Sequence, residues 1–248
     1  MAQADAAEPY WLDWARLRGS VEALCPHARG VLLDVGVSEA PYRALFSGAV
    51  TRYVGLEYPP SILDKQPEMW AILERVKVPV QVFGDGSRLP IRDASIDTVL
   101  ATEVLEHVPR PELFVREMAR VARPGGKVLI TVPFIQPLHE LPSDYFRFTP
   151  SALRHFAEDA GLEVESVTAR GNFASANGAL LSQWLLRWVG AAEHQSDGSV
   201  ILSRWRSVLV LPFTALIQVA FHLASKLTND TAVCQGYALV ARKPDVAR

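Results

Sequence analysis

The sequence has few cysteines and no surplus of positive charge. Only two of the 248 residues are cysteine, and Cys25 and Cys234 lie far apart, outside any spacing typical of a metal site. The formal net charge is −2, which gives no support to binding of nucleic acid. The first nine residues contain Asp5 and Glu8 and lack the basic-then-apolar order of a signal peptide. We therefore expect a reducing, cytoplasmic location, no metal site and no nucleic-acid partner.

Short apolar runs recur along the chain and predict a parallel sheet. Runs rich in Val, Ile and Leu, without polar alternation, are typical of strands covered on both faces by helices. A chain of this length can form one large α/β domain. We expect strands at residues 30–35, 51–57, 79–84, 96–102, 126–133, 162–168 and 236–242, and helices at 10–24, 39–47, 61–75 and 111–122, with another beginning at Thr149-Pro150.

The first predicted strand ends at an acid and a glycine, Asp34 and Gly36, and the second ends about twenty residues later at Glu57. Glycine lets the backbone pass close to a ligand, and an acid after the second strand can accept hydrogen bonds from ribose hydroxyls. Ser38 and Ala40 are small enough for close approach, but we expect them to lack the φ freedom of further glycines. The layout indicates a nucleoside-binding half-sheet; an ordinary turn with a solvated acid is the alternative.

Polar groups also follow the third and fourth predicted strands. Asp85, between Gly84 and Gly86, lies at the edge where open α/β sheets bind ligands, and it could accept a hydrogen bond from an adenine amino group. A turn aspartate flanked by glycines is the alternative. The fourth strand leads into Glu103 and then into Leu105-Glu106-His107.

Together these strand ends and turns form a set of motifs in a fixed order: Asp34-Val35-Gly36, Glu57, Asp85-Gly86, Leu89-Pro90, Asp97, Leu105-Glu106-His107 and Arg123-Pro124-Gly125-Gly126. The set resembles that of class I S-adenosylmethionine-dependent methyltransferases, and most of all the type 11 group. The resemblance covers residues 30–170 and the last strand. It implies an α/β, Rossmann-like fold with a seven-stranded sheet, its last strand antiparallel, and S-adenosylmethionine lying across the strand ends.

The resemblance also implies which residues hold the cofactor: Asp34, Gly36, Glu57, Asp85, Gly86 and Glu103. Asp34 and Gly36 line its methionine side, and Glu103 approaches the methionine moiety. Glu57 holds the ribose. The Asp85-Gly86 pair contacts adenine.

The loop after the fifth predicted strand contains His139, Asp144, Tyr145 and Arg147, and a similar loop recurs in a subset of the type 11 group. An oxygen nucleophile has to lose a proton before methylation, and histidine titrates near neutral pH. We therefore expect these four residues to be the catalytic residues for methylation of the acceptor. In the alternatives, Asp144 and Arg147 pair only to close the loop, and His107 either acts as the base or caps the next helix.

An apolar stretch lies between the last two predicted strands. Residues 207–225 contain no Asp, Glu, Lys or Arg, over about 28 Å as helix. One membrane crossing is excluded if both strands belong to one sheet, because they would lie on opposite sides of the bilayer. A polar stripe on one helical face contains Ser207, Thr214, Gln218, His222 and Ser225, and Pro212 is expected to interrupt the early turns.

We therefore predict three parts: an N-terminal helical segment at 1–29, a methyltransferase domain at 30–170 and 231–248, and an apolar helical insertion at 171–230. Residues 178–227 are expected to form a lid, a homodimer surface or a peripheral membrane contact.

The function we predict is S-adenosylmethionine-dependent methyl transfer to a small-molecule or lipid- or glycan-type acceptor, with O-methylation preferred. A nicotinamide-dependent dehydrogenase is a poorer interpretation, because G-x-G-x-x-G is absent. A non-catalytic nucleoside-binding or scaffold protein on the same fold is the remaining alternative.

Overall fold

The computed structural model describes residues 10–58, 80–194 and 200–245, so the helix predicted at 61–75 lies outside the described residues. The chain divides into two compact units. The sheet unit contains the described parts of Val21–Val132, Tyr145–Thr168 and Ala238–Arg248, and the helical unit those of Met1–Ser20, Pro133–Asp144 and Ala169–Tyr237.

Helices and strands alternate along most of the chain. The described helices are α1 (Trp11–Leu24), α2 (Arg43–Phe46), α3 (Pro111–Val121), α4 (Pro150–Asp159), α5 (Phe173–Trp188) and α6 (Arg204–Ala224). The described strands are β1 (Val31–Val35), β2 (Arg52–Glu57), β3 (Val80–Phe83), β4 (Ile96–Thr102), β5 (Ala122–Pro133), β6 (Glu163–Arg170), β7 (Ala192–His194), β8 (Val200–Leu202) and β9 (Gly236–Arg242).

Seven of these strands form the main sheet, in the order β3-β2-β1-β4-β5-β9-β6. The strands from β3 to β5 are parallel, and the strand order reverses between β1 and β4. The last strand runs antiparallel to β5, because Gly125 N donates to Lys243 O (2.8 Å) while Phe134 N donates to Gln235 O (2.9 Å). This mixed sheet confirms the expected class I methyltransferase architecture.

The fifth strand differs from its prediction. The sequence Arg123-Pro124-Gly125-Gly126 was expected to separate a helix from a strand beginning at residue 126, but β5 already begins at Ala122. Ala122 pairs with Ile96, and the register then shifts so that Lys127 pairs with Thr98. The intervening residues form an irregularity within the strand, which local turn signals alone did not distinguish from a loop.

The two long helices of the helical unit pack against each other as an antiparallel pair. A Cβ built on Gly178 of α5 would lie 2.3 Å from the Phe221 Cβ of α6, so the helices meet closely at this glycine. Farther along, the Arg206 guanidinium donates to Gly190 O (3.1 Å). The expected interruption at Pro212 is wrong: α6 continues through it, since packing against α5 offsets one missing hydrogen bond. Among the described helices, none is both long and apolar enough to cross a membrane.

Candidate functional site

The register of the parallel strands brings the predicted cofactor residues to one edge of the sheet unit. Val35 pairs with Leu56, and Glu57 pairs with Phe83 at the end of β3. Gly36 N donates to Leu56 O (2.8 Å), so the turn after β1 is tied to the end of β2. Carboxyl ends beside a reversal of strand order are where open α/β sheets bind ligands.

Gly36 occupies a position that a larger residue would not fit. Its φ is +79°, and a Cβ there would lie 2.6 Å from a methyl carbon of Val104. Both the left-handed backbone and the close approach of the segment after β4 therefore require glycine. Val104 was not among the residues singled out from the sequence, because its approach to the first turn depends on the β1–β4 pairing.

The turn after β1 contradicts one expectation about its backbone. Ser38 and Ala40 were expected to forgo glycine-like φ values, yet their φ angles are +44° and +52°. The left-handed conformation costs a residue with a Cβ about 1–2 kcal/mol. Ser38 N donates to Glu57 Oε2 (2.7 Å), and Ala40 N donates to Val37 O (2.7 Å), so local hydrogen bonds offset part of that cost.

Glu57 is a buried carboxylate that joins two turns. Its Oε2 accepts from Ser38 N (2.7 Å), and its Oε1 accepts from Tyr58 N (2.9 Å). Only 8% of the residue is exposed. The carboxylate is thus fixed at the end of β2, in the position that the sequence predicts for a ribose contact.

Asp34 lies within β1 and is paired with a tyrosine that the sequence analysis did not single out. Burial raises the pKa of Asp34 to about 7; the hydrogen bond from the Tyr53 hydroxyl lowers that pKa, and the charge of Glu57 raises it. Burial, followed by the charge of Asp34, raises the pKa of Tyr53. When the pKa of a carboxyl lies near neutral pH, a nearby cation strongly shifts its equilibrium toward the ionised form. Leu32 pairs with Tyr53 across β1 and β2, a register that local sequence does not show.

The Asp85-Gly86 turn has a local structural role. Asp85 is exposed, its Oδ1 accepts from Ser87 N (2.7 Å), and its carbonyl accepts from Arg88 N (3.0 Å). A Cβ on Gly86 would lie 2.2 Å from the Phe114 ring, so packing against α3 requires this glycine. These contacts favour the turn interpretation for the two residues, and an adenine contact stays a prediction.

Glu103 follows β4 with a φ of +53°. Its N–H donates to Thr131 O (3.1 Å), which holds the end of β4 beside β5. A left-handed residue other than glycine at the end of a central strand is unusual, and such residues are concentrated at binding sites.

The acceptor loop is divided between the units. In the helical unit, the buried Asp144 carboxylate accepts from His139 N (3.0 Å), and its Oδ2 lies 3.5 Å from His139 Nδ1. In the sheet unit, Tyr145 N donates to the Glu106 carbonyl (2.9 Å), and the Arg147 guanidinium donates to Phe146 O (2.8 Å). Asp144 thus holds His139, and the Tyr145–Arg147 segment is fixed beside the turn after β4.

His107 lies between β4 and α3. It ends a separate 3-10 turn, Leu105–His107, whereas α3 begins at Pro111 with Arg110 at its N-cap position. His107 Nε2 lies 3.7 Å from the Glu106 carboxylate. Arg110 rather than a residue of this pair thus occupies the N-cap position, and a capping role for the pair stays a prediction.

Part of the chain is similar in sequence to a known protein family. Residues 33–130 match a family model described as a methyltransferase domain, of type 11. Residues 33–130 therefore have the sequence features of a methyltransferase domain.

Two curated relatives are uncharacterized methyltransferases of mycobacteria. The one from Mycolicibacterium paratuberculosis is 36% identical over 135 residues, which cover 52% of this chain and 51% of the relative. The one from Mycobacterium bovis BCG is 29% identical over 166 residues, covering 66% and 62%. The chain therefore spans about half to under two thirds of the length of these two relatives.

Solved structures share the fold at low identity. A protein of Haloferax volcanii, in complex with the Trm112 methyltransferase activator, has a TM-score of 0.57 and 19% identity, covering 98% of this chain and 96% of that one. The phosphoethanolamine N-methyltransferase 2 of Haemonchus contortus, solved with S-adenosyl-L-methionine, has a TM-score of 0.56 and 14% identity, covering 93% and 53%. The [4+2]-cyclase SpnF has a TM-score of 0.54 and 20% identity, covering 92% and 80%.

Proposed function

We propose that the protein transfers a methyl group from S-adenosylmethionine to a small-molecule or lipid- or glycan-type acceptor. The observation that carries this proposal is the register of β1, β2 and β3, which gathers Gly36, Glu57 and Asp85 at one edge within a methyltransferase domain. Glu57 accepts from the ribose hydroxyls, and Asp85 with Gly86 faces adenine. Methyl transfer then requires in-line placement of the acceptor and the sulfonium.

The methionine end of the cofactor is assigned to Asp34, Gly36 and Glu103. Gly36 has no side chain, and a Cβ at this position would clash with Val104, so the backbone here can come close to the cofactor. The cofactor carries a positive sulfonium and an ammonium group, and an ionised Asp34 stabilises such charges. Because the pKa of Asp34 is about 7 without ligand, we expect cofactor binding to release a proton from this carboxyl near neutral pH.

The acceptor is assigned to the loop that contains His139, Asp144, Tyr145 and Arg147. A general base works best when a third group orients it, and Asp144 holds both the backbone and the ring of His139. This arrangement supports O-methylation, in which His139 removes the acceptor proton. Tyr145 and Arg147 then contribute polar contacts to the acceptor.

Residues 178–227 are assigned to a partner, which is either a membrane surface or a second copy of the chain. The Haloferax volcanii neighbour was solved with a protein activator, which supports the idea that domains of this fold take partners. A non-catalytic nucleoside-binding protein is the second candidate function. The cyclase SpnF shares the fold but is named for a different reaction, which shows that this fold alone does not determine methyl transfer.

The test is turnover of methyl-labelled S-adenosylmethionine with small-molecule, lipid and glycan extracts as acceptors. We expect S-adenosylhomocysteine to form and label to appear in one extract class, and His139→Ala to lower the rate of label transfer about 100-fold. Tight cofactor binding without label transfer to any extract would favour the non-catalytic alternative. Mass spectrometry of ligands that copurify with the protein provides an independent identification of the acceptor.

A further inference from the structure

Helix α5 buries polar side chains and exposes apolar ones. Ser175, Ser182 and Gln183 are buried, whereas Trp184 and Trp188 are 52% and 71% exposed, with their rings stacked at 5.8 Å. A helix of a water-soluble domain normally shows the opposite pattern. The exposed residues recur at a spacing of three and four, so they form one continuous face.

Helix α6 shows the same inversion. Its polar stripe points inward, with Thr214 and Gln218 each only 1% exposed. The outward face consists of large apolar side chains that are 55–85% exposed: Trp205, Leu209, Phe213, Leu216 and Leu223. Leu227, just after the end of the helix, is 88% exposed. The stripe predicted from the sequence is therefore present, but it is the buried side of the helix.

Specific hydrogen bonds hold both helices in this orientation. Leu12 N donates to Gln218 Oε1 (2.9 Å), and Gln183 Nε2 donates to Asp13 Oδ2 (2.8 Å). Rotating either helix to hide its apolar face would leave these buried polar groups without partners, which is unfavourable. The outward apolar face is thus a fixed property of the helical unit.

The exposed apolar area of the two helices is at least as large as the largest apolar patch of a typical monomer. Aromatic side chains present about 150–250 Å² each, so the exposed fractions of Trp184, Trp188, Trp205 and Phe213 correspond to roughly 400–700 Å². The exposed leucines add to that area. Contiguous apolar patches beyond a few hundred Å² mark interaction sites.

The charged residues within the two helices are all positive. Neither α5 nor α6 contains Asp or Glu, although the whole chain has a net charge of −2. Arg187 and Arg206 are exposed at the end where α5 stops and α6 begins, and Lys226 is exposed at the opposite end of α6. Basic side chains therefore flank both ends of an aromatic and leucine-rich surface.

We propose that this face docks in the plane of an anionic lipid bilayer. Exposed tryptophans are favoured in the headgroup region, and Arg and Lys at the ends attract acidic headgroups. A two-fold contact with a second copy fits less well. It would place the same patch against itself and bring the basic residues of one copy close to those of the other.

The test is cosedimentation of the full chain with vesicles of phosphatidylcholine alone or with 30% phosphatidylglycerol. We expect binding to the anionic vesicles, little to the neutral ones, and a several-fold loss between 50 and 500 mM salt because headgroup attraction is screened. Brominated phosphatidylglycerol should quench tryptophan fluorescence. Equal binding to both vesicle types, or none to either, overturns the proposal.

Two variants and one control locate the contact. Trp188→Glu with Trp205→Glu should reduce binding at least tenfold, and Arg187→Glu several-fold, whereas Arg154→Glu, at an exposed position of α4, should bind as the wild type does. Wild-type binding by the double variant contradicts the proposal, as does a salt-resistant dimer in light scattering that the double variant disrupts. Circular dichroism checks that the variants fold. The quenching experiment uses the wild-type chain and therefore tests the proposal even if a variant does not fold. Cofactor titration, measured separately, distinguishes failure of this proposal from failure of the proposed methyl transfer.

Discussion

Replacing Asp34 by Asn should change how stability depends on pH. The pKa of Asp34 is about 7 in the folded chain, raised from 3.8 chiefly by burial. The folded state therefore retains a proton that the unfolded chain has lost, and wild-type stability falls as the pH rises between those two values. At 1.36 kcal/mol per pKa unit, the loss amounts to about 4 kcal/mol. Asparagine can still accept from the Tyr53 hydroxyl and carries no proton to lose.

Urea unfolding without cofactor, followed by circular dichroism from pH 4 to pH 8, measures this difference. From pH 4 to pH 8, the free energy of unfolding of Asp34→Asn should rise by about 4 kcal/mol relative to that of the wild type. Most of this change should occur between pH 4 and pH 7. Asp159→Asn provides a control of opposite sign. The hydrogen bond from Arg116, and then its charge, lower the pKa of Asp159, so that carboxylate stabilises the fold above its unfolded pKa. Stability curves for Asp34→Asn and wild type that stay parallel would refute the assignment of a buried, protonated Asp34.

Three further predictions concern the site. Glu57→Ala should weaken S-adenosylmethionine binding by about 1.5–3 kcal/mol, or roughly 10- to 150-fold in Kd by calorimetry, since a charged acceptor is lost; an unchanged Kd removes Glu57 from the ribose contact. Ala40→Gly should stabilise the chain by about 1 kcal/mol in thermal unfolding, because its φ is +52°; a lower Tm would show that the left-handed turn is not strained. His139→Ala should lower the methylation rate about 100-fold while cofactor affinity stays the same, and wild-type turnover from pH 6 to pH 9 would exclude it as the base.

Local sequence was sufficient for the strands and helix ends that depend on neighbouring residues. The continuous apolar run of β1 marks a strand covered on both faces, and Thr149 caps α4 as expected, its hydroxyl accepting from Ala152 N (3.2 Å). The carboxyl-edge positions of Gly36 and Glu57 also follow from strand order, because parallel strands end at one edge of a sheet.

Contacts between residues that are far apart in the chain could not be predicted from the sequence. The hydrogen bond from Tyr53 to Asp34 and the approach of Val104 to Gly36 both depend on register across the sheet. The polar stripe of α6 was visible, but the hydrophobic rule would place it outward. Gln218 is buried because its partner is the backbone of Leu12, about two hundred residues away in the chain.

The most direct test of the central claim is calorimetric titration of the full chain with S-adenosylmethionine, S-adenosylhomocysteine and NAD. We predict saturable binding of the first two at one site per chain, weakened by Glu57→Ala, and no heat with NAD. No binding of either adenosyl compound, or binding of NAD that competes with them, would contradict the assignment of this sheet edge to S-adenosylmethionine.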